Sequence, residues 1–162
     1  MVTMDGNGAI GKDCTTPGKG KLKANFDHFT ATTGEKVVVV GRTTYDLTPK
    51  AVRQFWSEIV VLTRNTELIR GCVTLCHPEH VLRIYEDKEM WVIGGRQMFE
   101  IFLPYAKQLI VTNVETIMER ADVFFPDVNW QEWESRELFH QEADKENLFS
   151  FSVVEYTRKN HS

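Results

Sequence analysis

The chain has 162 residues, 42% of them hydrophobic and 26% charged, and a formal net charge of −4. That length suits one domain with a sizeable core, and the composition excludes global disorder, while mixed-sign, mildly acidic charge excludes a general nucleic-acid binder. No apolar run approaches the ~20 residues of a membrane span and no charged-then-apolar leader is seen; three cysteines, which cannot all pair, favour a reducing compartment. The expectation is a cytoplasmic, soluble domain.

In chain order, Leu22, Phe26 and Phe29 fall at i, i+4 and i+7, which predicts one face of a helix ending near Gly34. Lys36 to Arg42 contains four consecutive valines stopped by Gly41, the pattern of a strand covered on both faces in a parallel sheet. Ile59–Thr63, Met90–Gly94 and Gln108–Thr112 have the same character. Between them, Pro78 to Tyr85 reads as a helix with proline at its start. Met98, Phe99, Phe102 and Leu103 form a further helical face closed by Pro104. Trp133–Gln141 and Phe149–Lys159 are extended segments joined by the polar stretch 142–147, a hairpin. This alternation predicts a single α/β domain over 1–162: a mostly parallel sheet, helices on both faces and a C-terminal antiparallel hairpin.

Cys72, Cys76, His77 and His80 together suggest zinc, but geometry opposes it. Gly71–Cys76 reads as a strand, and strand positions four apart are roughly 13 Å from each other. Sulfurs that distant cannot share one tetrahedral ion with bonds of about 2.3 Å. Cys14 lies in a polar loop and carries no chemistry. No metal is expected.

Three strand ends are more informative. Gly94-Gly95-Arg96-Gln97-Met98 follows one strand and opens a helix, so glycines admit a ligand to the backbone and helical N–H groups face a phosphate. Gly41-Arg42-Thr43-Thr44 and Leu62-Thr63-Arg64-Asn65 set cations and hydroxyls beyond two more strands. Ligands of open α/β sheets bind at that edge, and two arginines suit a ribose 2′-phosphate, which favours NADPH over NADH. No Ser-His-Asp order, Cys-His pair or Walker loop is present; a nicotinamide-dependent reductase needs none.

The stretches Met4–Lys12, Pro17, Val40–Tyr45, Val61–Asn65, Val92–Gly95, Phe102–Pro104 and Phe125–Asp127 occur in an order and spacing that resembles dihydrofolate reductase over nearly the whole chain. The resemblance implies that fold, NADPH as cofactor, dihydrofolate or a related pteridine as substrate, and a monomer. It implies cofactor contacts at Ile10, Thr16, Gly41, Arg42, Thr43, Thr44, Leu62, Thr63, Arg64, Gly94, Gly95, Arg96, Gln97 and Met98, with a cis bend at Gly94-Gly95. Phe26, Phe29, Thr48 and Ile93 match substrate-lining positions. The active-site carboxylate of the family falls on Asn25, and Thr112 matches the threonine that supports it.

The substrate side departs from the pattern. Asn25 is neutral, and Asp27 is about 200° round the helix from it. A loop tryptophan is replaced by Gly18-Lys19-Gly20-Lys21, Ala121 stands for a usual glycine, and the arginine that pairs with the folate glutamate falls on Ser57, with Arg53 nearby. Two alternatives remain open: a nucleotide-binding relative without folate turnover, and a reductase of another pyrimidine or pteridine. The strand reading of Cys72 and Cys76 gives a direct test. A metal chelator should leave melting temperature and NADPH-dependent activity unchanged; a stoichiometric zinc lost together with stability would refute it.

Overall fold

The computed structural model describes residues 1–12, 15–65 and 67–160, so Cys14 lies outside the described residues. Chain contacts divide into two compact units, Met1–Asp27 with Tyr105–Ser162, and His28–Pro104.

In the second unit, β3 (Val37–Gly41) is the centre of a four-stranded parallel sheet of order β5-β4-β3-β6, with β4 at Glu58–Leu62, β5 at Val73–Leu75 and β6 at Met90–Val92. The pleat sends alternate valines to opposite faces. Val37 and Val39 pack with Val60, Val81, Tyr85, Met98 and Phe102. Val38 and Val40 pack with Tyr45, Trp56, Ile59 and Val61. The first cluster takes its buried helical side chains from α4 (Pro78–Ile84) and α5 (Arg96–Phe102), and the second takes Tyr45 from α2 (Arg42–Leu47), with Phe29 and Val52 packed against it. Each fully buried valine contributes about 1.5–3 kcal/mol relative to an exposed one, which is why an unbroken β-branched run sits at the middle of the sheet. A short helix, α3 (Lys50–Arg53), follows α2. Strand β5 spans Val73–Leu75, leaving Cys72 and Cys76 at its two ends.

In the first unit, β1 (Val2–Met4) pairs parallel with β7 (Gln108–Val114). Strand β10 (Phe151–Arg158) lies antiparallel on the other side of β7, and β9 (Trp133–Gln141) antiparallel to β10. The hairpin read from the sequence is thus present, two residues shorter at Phe149. A separate two-stranded ladder joins β2 (Ala9–Gly11) to β8 (Val123–Phe124). Asp5 is buried in the turn between β1 and β2 and accepts the N–H groups of Asn7, Ala9 and Met118 at 2.8, 2.9 and 2.7 Å.

Helix α1 covers Lys23–Thr33. Leu22 precedes it, its carbonyl accepting the Phe26 N–H at 3.0 Å, and Phe26 remains 47% exposed. Of the expected apolar face, Leu22 is buried and Phe29 packs against a core cluster, while Phe26 stays open. The helix has no acidic residue in its first turn, and its N-terminus is satisfied from far along the chain. Asn147 Oδ1 accepts from the Ala24 N–H at 2.9 Å, and the Glu146 carbonyl accepts from Lys23 N–H at 3.1 Å. Asn147 is itself buried and held by Asp144, whose Oδ1 accepts from its N–H at 2.8 Å and from its Nδ2 at 3.0 Å. Those bonds and the Glu146 N–H hold the Asp144 carboxyl below the ordinary aspartate value.

Asn147→Ala removes an N-cap acceptor and should lower unfolding free energy by about 1–2 kcal/mol in denaturant titrations. Because Asp144 has a depressed folded pKa, its contribution is complete above the ordinary aspartate range. It is lost as pH falls through the lowered value. The stability gap between wild type and Asp144→Ala should therefore be constant near neutrality and narrow in acid.

Candidate active site

Asn25 sits in the opening turn of α1, placed there by the Asn147 cap one residue away. Its Oδ1 accepts from the Thr112 hydroxyl at 2.7 Å, and its Nδ2 donates to Thr3 Oγ1 at 3.1 Å. Thr3 and Thr112 are direct partners in the parallel β1–β7 register, and Thr112 is 1% exposed. Two hydroxyls at matched positions of adjacent strands fix the amide. Asp27, two residues on, accepts a bond from Lys23 Nζ at 2.6 Å in a pair whose side chains are both more than half exposed. That bond holds the Lys23 ammonium above its ordinary value. Asp27 is thus engaged on the solvent side, as the helical register requires.

The second unit gathers the strand-end residues. The Gly41 N–H donates to the Gly94 carbonyl at 2.8 Å, joining the carboxyl ends of β3 and β6. The Gly94–Gly95 peptide bond is cis, and Gly94 has φ +130°, which side chains rarely adopt. A Cβ on Gly95 would meet Thr44 Oγ1 at 3.3 Å, and one on Gly41 would meet Met98 Cγ at 3.4 Å. The Thr44 and Met98 side chains thus pack close against the glycine backbone of this corner. Helix α2 begins at Arg42, immediately after Gly41, so Arg42, Thr43 and Thr44 supply first-turn N–H groups rather than loop groups. Arg96, Gln97 and Met98 do the same in α5, whose first bond runs from Phe99 N–H to the Gly95 carbonyl at 3.1 Å.

Side chains at this edge differ. Arg42 Nε lies 3.0 Å from both Asp46 oxygens, and Arg96 Nε lies 2.7 Å from Glu100. Arg64 is exposed at the end of β4, and the Thr63 hydroxyl accepts the Asn65 N–H at 3.2 Å. Leu62 and Met98 are buried in the core, so any ligand meets their backbone. Ile93 and Phe29 pack on the other cluster, with Phe29 edge-on to Trp56 at 6.2 Å. Thr48 ends α2, its hydroxyl donating to the Thr44 carbonyl at 2.7 Å. In the first unit, Ile10 is buried in β2 and Thr16 is exposed.

A family model described as dihydrofolate reductase matches residues 1–158. The chain belongs to the dihydrofolate reductase family. It is 30% identical over 160 residues to dihydrofolate reductase of Haemophilus influenzae, covering 98% of this chain and 97% of that protein. It is also 30% identical to the type 3 dihydrofolate reductase of Salmonella typhimurium, over 98% and 96% of the two chains. Its fold is similar to Enterococcus faecalis dihydrofolate reductase complexed with NADP(H) and RAB-propyl: TM-score 0.85, 26% identity, covering 98% of this chain and 94% of that one.

Members of the dihydrofolate reductase family use a dinucleotide, whose phosphates call for cations and backbone N–H donors of the kind gathered at these strand ends. Two contributors were not singled out by sequence, and a third was noted only by position. Thr3 is one; the Val-Thr-Met alternation of β1 is its only signal. Asn147 is another, invisible because its partner is 123 residues away. The third is Arg53, which donates to the carbonyls of Thr48 at 2.8 Å and Tyr45 at 3.0 Å and stacks on the Tyr45 ring at 3.9 Å. Ser57, at the position of the family arginine, is exposed.

Replacing Arg42 and Arg64 together by uncharged residues should weaken NADPH by roughly two orders of magnitude or more, at about 1.5–3 kcal/mol per charge-assisted contact. NADH, lacking the 2′-phosphate, should change far less. Equal small losses in calorimetric titrations with both cofactors would remove these residues from the phosphate site.

Proposed function

We propose that the chain is an NADPH-dependent reductase that converts 7,8-dihydrofolate to tetrahydrofolate. The observation that carries this reading is the dihydrofolate reductase match across residues 1–158, unbroken from one end of the chain to the other. The same span supports one functional domain over 1–162. The likeness to a dihydrofolate reductase complexed with NADP(H) supports NADPH in particular. Bound NADPH supplies the hydride that adds to C6 of the N5=C6 bond, N5 takes a proton from solvent, and NADP+ is left.

In this reading Gly41, Arg42, Thr43, Thr44, Thr63 and Arg64 bind the adenosine-side phosphates and ribose. Gly94 through Met98 bind the pyrophosphate with backbone N–H groups, and Ile10 and Thr16 belong to the loop over the nicotinamide. Phe26, with 47% of its surface open, and Phe29, Thr48 and Ile93 contact the substrate. Asn25 orients the pteridine ring and Thr112 orients Asn25; the 2.7 Å bond between them supports that role. No helix among the described residues is long and apolar enough to cross a membrane. We place the protein in the cytoplasm as a monomer without nucleic-acid partners.

An amide brings no negative charge to favour the N5-protonated ring. Activity should therefore rise steadily as pH falls, with no plateau from an enzyme carboxylate. Asn25→Asp should raise turnover near neutral pH by about tenfold or more and tighten cationic antifolates together with it. Asp27→Asn should change neither, given the exposed Lys23 pair. Steady-state rates across pH decide this: loss of activity in Asp27→Asn, with no effect of Asn25→Asp, would reassign the acid.

A further inference from the structure

Arg53 is a cation whose orientation is fixed by groups that use only part of it. A guanidinium carries five N–H donors in a plane: Nε and Nη2 share one edge, and Nη2 and Nη1 share a second. The first edge is spent. Nε donates to the Thr48 carbonyl at 2.8 Å and Nη2 to the Tyr45 carbonyl at 3.0 Å. The Cζ atom lies 3.9 Å from the centroid of the buried Tyr45 ring. The second edge meets no carboxylate. Among the described residues no ion pair includes Arg53, and Asp46, the acid of α2, is taken by Arg42 at 3.0 Å.

The three cations of α2 and α3 therefore differ: Arg42 is paired, Lys50 is exposed, and Arg53 is half-buried with its orientation already set. Two parallel N–H groups on a guanidinium edge match the two oxygens of a carboxylate. Ordering that edge beforehand removes the side-chain entropy that a free surface arginine would lose on binding. The same bonds tie Arg53 to residues that the reductase reading gives to the substrate. Thr48 is joined directly, and Phe29 and Ile93 belong to the cluster that also holds Tyr45 and Val52. All of these lie in the 28–104 unit. Position 57, where the family carries an arginine, is an exposed and uncharged serine.

We propose that the open edge of Arg53 receives a carboxylate of the substrate's glutamate tail, which places recognition of the acidic end on α3 rather than at position 57. This rests on the reductase reading above and makes Arg53 a specificity residue of that reaction, with no part in hydride transfer. Lysine is no substitute. A compact ammonium reproduces neither the paired carbonyl bonds of one edge nor the parallel donors of the other.

The test follows NADPH oxidation with 7,8-dihydrofolate and with its diamide, in which both tail carboxylates are neutral, in wild type, Arg53→Gln and Arg53→Lys. Wild type should favour the diacid by about tenfold or more in kcat/KM, chiefly through KM, and both variants should lose most of that preference. An NMR titration with p-aminobenzoyl-glutamate and its diamide, which needs no turnover, reads the tail alone. A wild-type ratio near unity, or a ratio unchanged in the variants because both substrates suffer equally, overturns the proposal; dihydrofolate turnover then leaves the reductase reading standing. If no dihydropteridine is turned over, the reductase reading falls and the titration decides the carboxylate site by itself. A wild-type preference for the acid that is lost in the variants sustains the site, and equal binding of acid and diamide removes it. Should Arg53→Gln fail to fold, Arg53→Lys decides.

Discussion

The 2.9 Å bond from the Ala24 N–H to Asn147 Oδ1 is the constraint on which the placement of Asn25 depends. Helix α1 supplies little to start itself, with no acidic residue in its first turn. The Lys23–Asp27 pair is exposed on both sides, where water screens it, and adds little. Its free N–H groups are met by residues 146 and 147, and the Leu148 N–H returns a bond to the Lys21 carbonyl at 2.8 Å. Once that turn is fixed, Asn25 faces the two threonines. A shift of one residue in the β1–β7 register would separate Thr3 from Thr112 and leave the amide half-satisfied.

Neutrality at Asn25 has a physical advantage as well as a catalytic cost. A carboxylate beside Thr112, at 1% exposure, is partly stripped of water, and two hydroxyls compensate only part of that loss. The amide needs no counter-ion and satisfies both threonines. What is surrendered is the field that a fixed negative charge would exert on the ring. The site thus keeps orientation and gives up electrostatics.

The parts of this organisation carried by short-range pattern were legible in the sequence. Val37–Val40 announced a strand buried on both faces, and its valines do divide between two core clusters. The strand-end glycines and the C-terminal hairpin were visible for the same reason: their signals lie within a few residues. No helix was expected at Arg42–Leu47, because Thr43 and Thr44 are weak helix formers, and tertiary packing of Tyr45 overrides propensity there. Leu22, Phe26 and Phe29 gave one apolar face, and spacing alone does not say that Leu22 is buried while Phe26 stays open. Thr3 and Asn147 could not be found by pattern, since each acts on a residue distant in the chain.

The division of the chain has a consequence for how the protein is made. Residues 28–104 are contiguous, and their four parallel strands need nothing from either end of the polypeptide. The other unit is assembled from both ends, β1 waiting for β7 and the first turn of α1 waiting for Asn147. At roughly 5–20 residues per second, the ribosome delivers that cap on the order of ten seconds after Ala24 has been joined. During vectorial synthesis the edge that carries Gly41 and Gly94 is complete early, while the Asn25 amide is set in place among the last events of translation.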